Sequence, residues 1–157
     1  MTPDTPLFLE KPDHATTVAK AIMDGWAIVP YGATYGLAFD PNHRLEVAEA
    51  RGEDLNHLAT VSIVANYQDA VRWVDTDKLH PTLKNAVQAD CLRIYERISF
   101  IRFPVNEKGR QHLHSHCINL QGETQVFFVP PSDPIISALK TNHDMDYYAV
   151  RSSNKHG

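Results

Sequence analysis

The side chains of this sequence with the chemistry to hold a ligand sit in a few short stretches. Near the end, Ser152 and Asn154 put a hydroxyl and an amide two residues apart, groups that fix a phosphate or carboxylate without adding charge. In the run Pro30, Tyr31, Gly32, Ala33, Thr34, Tyr35, Gly36, two glycines punctuate aromatic and small residues, and a glycine lets backbone approach a ligand closely. Arg51 carries a planar guanidinium suited to an anion, with Glu49 two positions before it. In the plainer reading Gly32, Gly36, Ser152, Ser153, Asn154 and Gly157 are ordinary turn residues.

The run HLHSHC places His112, His114 and His116 on one face if it is extended, beside Cys117, a donor set with the chemistry for zinc. No further ligand stands at a known metal spacing, so a solvated histidine-rich edge without structural metal is expected. Arg93, Arg97 and Arg102 form a basic patch that reads as a solvated face or as a contact for RNA or phosphate. The pairs Asp75/Asp77 and Asp144/Asp146 suit turns and caps more than acid–base work. Cys91 is expected in the core, as are Trp26, Trp73, Phe100, Phe127 and Phe128.

The elements that must position these groups alternate along the chain. Helical spacing of Ala15, Val18, Ala19, Ile22 and Met23 predicts a helix over 13–23, capped by Asp13 and stopped at Gly25. WAIVP, TVSIVAN, ISFIRFP, QVFFVPP and YYAVRSS read as strands, with a further strand after the Tyr31–Gly36 loop. Strand alternation carried through that loop turns Thr34 to the opposite face. A weak helix is expected over 45–58, a short one around Ala70 to Val74, and one over 81–95 with Pro81 in its first turn. The stretch 106–123 reads as an irregular hairpin, and Asp133–Pro134 opens a last helix. The expected fold is α/β (α+β): one domain over 1–157, a twisted mixed sheet with flanking helices.

Composition agrees. The chain has 157 residues, 43% hydrophobic and 22% charged, which is enough for one core and too apolar for disorder. The net charge of −4, without a long single-sign block, argues against a general electrostatic hold on nucleic acid. Two cysteines make no disulfide framework, and no apolar run approaches a membrane span. The acidic, proline-marked start is unlike a secretory leader, so a cytoplasmic protein is expected.

Several of these stretches also carry a resemblance. GWAIVPYGATYGLAFDP, through Gly25, Pro30, Tyr35, Gly36 and Asp40, resembles the loop that opens the YrdC-like domain of the threonylcarbamoyl-AMP synthase family. VSIVANYQDAVRWVDTD and the terminal VRSSNKHG, with Ser152, Asn154 and Gly157, resemble that family's strand–helix segment and Ser-x-Asn loop, in order and at similar spacing. The resemblance implies a twisted α/β sheet with a concave site. It implies ATP, with Mg2+, together with bicarbonate and L-threonine as substrates, and threonylcarbamoyl-AMP for tRNA modification as product. RNA or a partner protein of tRNA modification is an implied associate. By motif position, Arg51, Ser152 and Asn154 would be catalytic, and Pro30, Tyr31, Gly32, Thr34, Tyr35 and Gly36 would bind the nucleotide.

The sequence departs from that family where its chemistry is densest. Tyr31, Gly32 and Ala33 stand where the family has Thr, an acidic residue and Thr, and Glu49 stands where its Lys-x-Arg motif has lysine. An arginine usual in the strand before DPIISAL is missing, and family members continue past the Ser-x-Asn loop. A carboxylate in place of an ammonium reverses the local charge beside an anionic ligand. The alternative implied is a catalytically impaired relative that binds a nucleotide, RNA or a partner.

Overall fold

The computed structural model describes Leu7, residues 11–31 and residues 34–152. Twelve elements follow in chain order: α1 (Pro12–Asp24), β1 (Ala27–Tyr31), β2 (Thr34–Phe39), α2 (Arg44–Arg51), β3 (Ser62–Asn66), α3 (Tyr67–Ala70), α4 (Pro81–Gln88), β4 (Phe100–Pro104), α5 (Glu107–His112), β5 (Glu123–Val129), α6 (Pro134–His143) and β6 (Tyr147–Ser152). The strands form one mixed six-stranded sheet in the order β1-β2-β6-β3-β5-β4. Only β3 and β5 pair in parallel; the other neighbours are antiparallel.

Alternation along the strands gives the sheet two apolar faces. Val29, Tyr31, Ala38, Val64, Phe127, Tyr148 and Val150 form one, packed against Val18, Ala19 and Ile22 of α1 and Ile135, Ile136 and Leu139 of α6. Phe39, Ile63, Ala65, Val126, Phe128 and Ala149 form the other, under Val47 of α2 and Trp73, Leu92 and Leu113. The helices are held at their ends. Asp133 accepts from the Ile136 N–H at 3.0 Å to cap α6, and Pro134 fills its first turn. Helix α1 starts one residue earlier than expected, at Pro12, with Asp13 in its first turn and the Gly25 N–H closing it on Ala21.

Several expectations need correction. Helix α2 ends at Arg51 because Gly52 takes a left-handed conformation, φ 69°, and its N–H returns to the last turn, so the chain does not continue helical to 58. Helix α4 stops at Gln88; Asp90 turns left-handed, φ 54°, and a separate 3-10 turn covers Leu92–Tyr95. That break leaves Cys91 exposed instead of in the core. The expected hairpin over 106–123 is α5 followed by a 3-10 turn, because the Asn106 side chain caps the helix by accepting from the Gly109 N–H at 2.8 Å. Trp26 is 49% and Phe100 37% exposed, while Trp73, Phe127 and Phe128 are buried. No helix among the described residues is long and apolar enough to cross a membrane.

Candidate functional site

The β1–β2 hairpin brings the loop residues to the sheet. Tyr31 lies opposite Thr34, and Val29 opposite Gly36, so the connection is the two residues 32–33. Chain reversal there puts Thr34 on the same face as Tyr31, which corrects the alternation counted straight through the loop. On its other side β2 pairs with β6, and Gly36 lies opposite Ser152. The hairpin and the end of β6 thus meet on the α1/α6 face of the sheet, beyond those helices.

A cleft of about 320 Å3 opens at that end. Tyr31, Tyr35 and Phe100 supply aromatic walls, and Thr34, Thr60, Ser62 and Ser152 supply hydroxyls. Gln125 adds an amide, whose Nε2 donates to Ser62 Oγ at 3.1 Å while its Oε1 accepts from Arg102 at 3.0 Å. Gly36, Val150 and Arg151 complete the lining. The missing side chain at Gly36 leaves room for the Tyr31 ring, since a Cβ there would clash with that ring and lie 2.6 Å from Val150 Cγ2. Tyr31 is buried, with its ring edge-on to Phe127 at 5.5 Å. Burial, and the Tyr148 hydroxyl beside it, push the Tyr31 phenol well above its ordinary range.

Of the residues singled out by sequence, Tyr31, Thr34, Tyr35, Gly36 and Ser152 line this cleft. Pro30 does not; it borders an adjoining compartment. Gly32, Asn154 and Gly157 lie outside the described residues. Arg51 reaches the rim, where its Nη1 donates to the Ser152 main-chain oxygen at 2.8 Å. Glu49, exposed on α2, does not line the cleft. Ser62, Thr60, Gln125 and Arg151 went unnoticed in the sequence. The signal was faint: polar residues at the starts of the apolar strands TVSIVAN and QVFFV.

Behind the rim, Glu53 gathers three arginines. Its Oε2 accepts from Arg44 Nη2 at 2.6 Å, and its Oε1 from Arg51 Nε at 3.0 Å and Arg151 Nη2 at 3.3 Å. Burial works to raise the Glu53 carboxyl, but the Arg44 hydrogen bond and the Arg151 and Arg44 charges outweigh it and hold it below its ordinary value. This network ties the end of α2 to β6.

The other candidates lie elsewhere. His112 Nε2 sits 2.6 Å from Asp146 Oδ1 and the ring stacks on Trp73, whereas His114 and His116 stack on each other in the next turn. They share no extended face, and the described residues hold no cluster of three metal-ligating side chains. Cys117 is buried, and its thiol is pushed up to about 12. Arg97 stands 3.9 Å from Asp133, and Arg93 is exposed.

No family model and no curated protein matches this chain. Solved structures do. The chain is similar to P. abyssi Sua5 complexed with L-threonine, at TM-score 0.61 and 16% identity, over 92% of this chain and 40% of that one. A double-substituted variant of P. abyssi Sua5 matches at 0.61 and 16%, over 94% and 42%. A hypothetical protein, smu.1377c, from Streptococcus mutans UA159 matches at 0.57 and 14%, over 92% and 56%. The chain thus spans about half or less of the length of these proteins. Its mixed sheet with flanking helices has a YrdC-like fold, far diverged in sequence.

Proposed function

We propose that this chain binds an adenine nucleotide in the hairpin cleft, in the manner of a threonylcarbamoyl-AMP synthase. ATP, bicarbonate and L-threonine are the substrates, and RNA or a tRNA-modification protein is the eventual partner. The observation that carries this reading is the register that sets Gly36 against Ser152, bringing the hairpin's Tyr31, Thr34 and Gly36 and the end of β6 to one cleft. The lining suits such a ligand. Aromatic walls accept a planar base, the Gln125 amide and the Ser62 and Thr60 hydroxyls can read its polar edge, and Arg44, Arg51 and Arg151 behind the rim outnumber the single Glu53 carboxylate, a net positive charge that favours phosphate. No carboxylate lines the cleft among the described residues, so Mg2+ would arrive on the ATP phosphates.

What the chain's own residues do follows from these positions. Hydroxyls of Thr34 and Ser152 orient the ligand, Arg51 holds the end of β6 in place, and the aromatic walls exclude water. A second reading, an impaired relative that binds but does not turn over, is favoured by one observation: the buried Tyr31 ring stands where the resemblance implies a threonine.

Incubation with ATP, bicarbonate and L-threonine, followed by mass spectrometry, tests both. A carbamoyl-adenylate supports turnover. A thermal midpoint raised by ATP without product supports the binding module, because a ligand that binds only the folded state stabilises it. Neither result would leave the nucleotide reading without support.

A further inference from the structure

Three chambers lie in series along the α1/α6 face of the sheet. The cleft of about 320 Å3 is followed by an inner compartment of about 280 Å3, bordered by Phe127, Val129, Ile135 and Tyr148. A wider groove of about 670 Å3 between α1 and α6 follows, sharing Arg97 and Asp133 with that compartment. Between cleft and inner compartment the only shared residue, among those described, is Tyr31. Its ring packs against a Phe127–Phe100 pair whose own centroids are 5.2 Å apart, lying 5.5 Å from Phe127 on the inner side and 6.4 Å from Phe100 on the cleft side. Gly36 beneath it offers no side chain to hold it away.

We infer that Tyr31 is the specificity-determining residue of this face: its phenol divides one elongated site into two, restricting the cleft to a mononucleotide and excluding an adenylate that carries an acyl arm. The inference rests on the nucleotide reading above in its second form, a relative that binds a nucleotide without turning it over, since an acyl-adenylate that the cleft excludes is not formed in it. At about 320 Å3 the cleft is at the lower end of small-molecule pockets, roughly 300–1,000 Å3. Behind the ring the lining changes character to suit such an arm. The inner compartment carries the Tyr148 hydroxyl, the Asp133 carboxyl and the Arg97 guanidinium on otherwise apolar walls. The Tyr31 hydroxyl is buried there with the Tyr148 hydroxyl beside it.

The division can be measured with two ligands and three proteins. AMP is the short probe, and 5′-O-(N-L-threonylsulfamoyl)adenosine, a stable acyl-adenylate analogue, is the long one. Calorimetric affinities are compared for the wild type, Tyr31→Phe and Tyr31→Thr. The wild type and Tyr31→Phe should prefer AMP, and Tyr31→Thr should shift the ratio toward the long probe by about tenfold or more. An unchanged ratio in Tyr31→Thr, with AMP still bound, overturns the inference while leaving the nucleotide reading intact. If no protein binds AMP, the nucleotide reading itself fails. A crystal structure of Tyr31→Thr then decides the division alone: one continuous chamber upholds it, and two chambers still separate refute it.

Discussion

Arg51 donates from Nη1 to the main-chain oxygen of Ser152 at 2.8 Å, a contact between residues 101 positions apart. Its Nε is held at the same time by Glu53. The guanidinium therefore straps α2 to the last strand before it can serve any ligand. Hydrogen bonds to charged groups contribute about 1.5–3 kcal/mol each when partly buried, so Arg51→Ala should lower unfolding free energy by about 2 kcal/mol in urea. Arg51→Lys should recover part of this, since it keeps charge but not the fork. If Arg51→Ala loses ATP binding with its stability intact, the residue serves the ligand and the strap is incidental.

Glu53 is the common acceptor of that strap. Arg44 is fully buried, and its Nε and Nη1 have no hydrogen-bond partner, so its Nη2 contact with Glu53 carries the neutralisation of a buried cation. Removing one partner of a buried pair costs about 3–5 kcal/mol, and Glu53→Ala should unfold at markedly lower denaturant than Arg51→Ala. The pH dependence has a definite sign. The Glu53 carboxyl is held below its ordinary value in the folded chain, so its stabilisation is full above about pH 4.5 and is lost as pH falls through the lowered value. Acid titration of wild type against Glu53→Gln should show the wild type's advantage shrinking in that window. An advantage that grew with acid would contradict the assignment.

The two thiols should separate cleanly. Cys91 is exposed just beyond the turn at Asp90, and Cys117 is fully buried with its thiol pushed up to about 12, first by burial and then by the Asp40 charge. The thiolate is the reactive form. Iodoacetamide at pH 8 should therefore modify Cys91 alone, and Cys117 only after denaturation, as read by intact mass. Labelling of Cys117 in the native protein would mean that the core around Leu113 and Val61 opens.

What could be read from the sequence was what period and capping dictate. The buried stripe of α1, the Asp133–Pro134 start of α6 and the β-branched strand β3 each declare themselves within a few residues. What could not be read depended on a single backbone turn or a distant partner. Asp90 adopts a left-handed conformation that no periodicity announces, and it moved Cys91 from core to surface. Asn106 nucleates α5 in a stretch whose alternation looked like a strand. At the site, glycine and hydroxyl positions marked the hairpin and β6, but Ser62 and Gln125 join them only through the sheet's order, in which β3 and β5 follow β6.

The last prediction isolates the fit of Tyr31 over Gly36. A methyl group at Gly36 would meet the Tyr31 ring and lie 2.6 Å from Val150 Cγ2. Overpacking of this kind costs about 1–3 kcal/mol, so Gly36→Ala alone should destabilise by that amount. Tyr31→Ala alone should cost about 3–5 kcal/mol, as for other large buried rings, because Tyr31 is only 5% exposed and packs on Phe127. In the double variant the new methyl enters space that the ring has left. The combined cost should then fall short of the sum of the single costs by at least about 1 kcal/mol, a coupling of the size contacting residues show. The residual penalty at Val150 keeps the coupling from being complete. Urea unfolding of the four proteins in the cycle gives the coupling directly. Additivity to within about 0.5 kcal/mol would mean that the ring does not lie over Gly36, and the division of the cleft by Tyr31 would lose its structural basis.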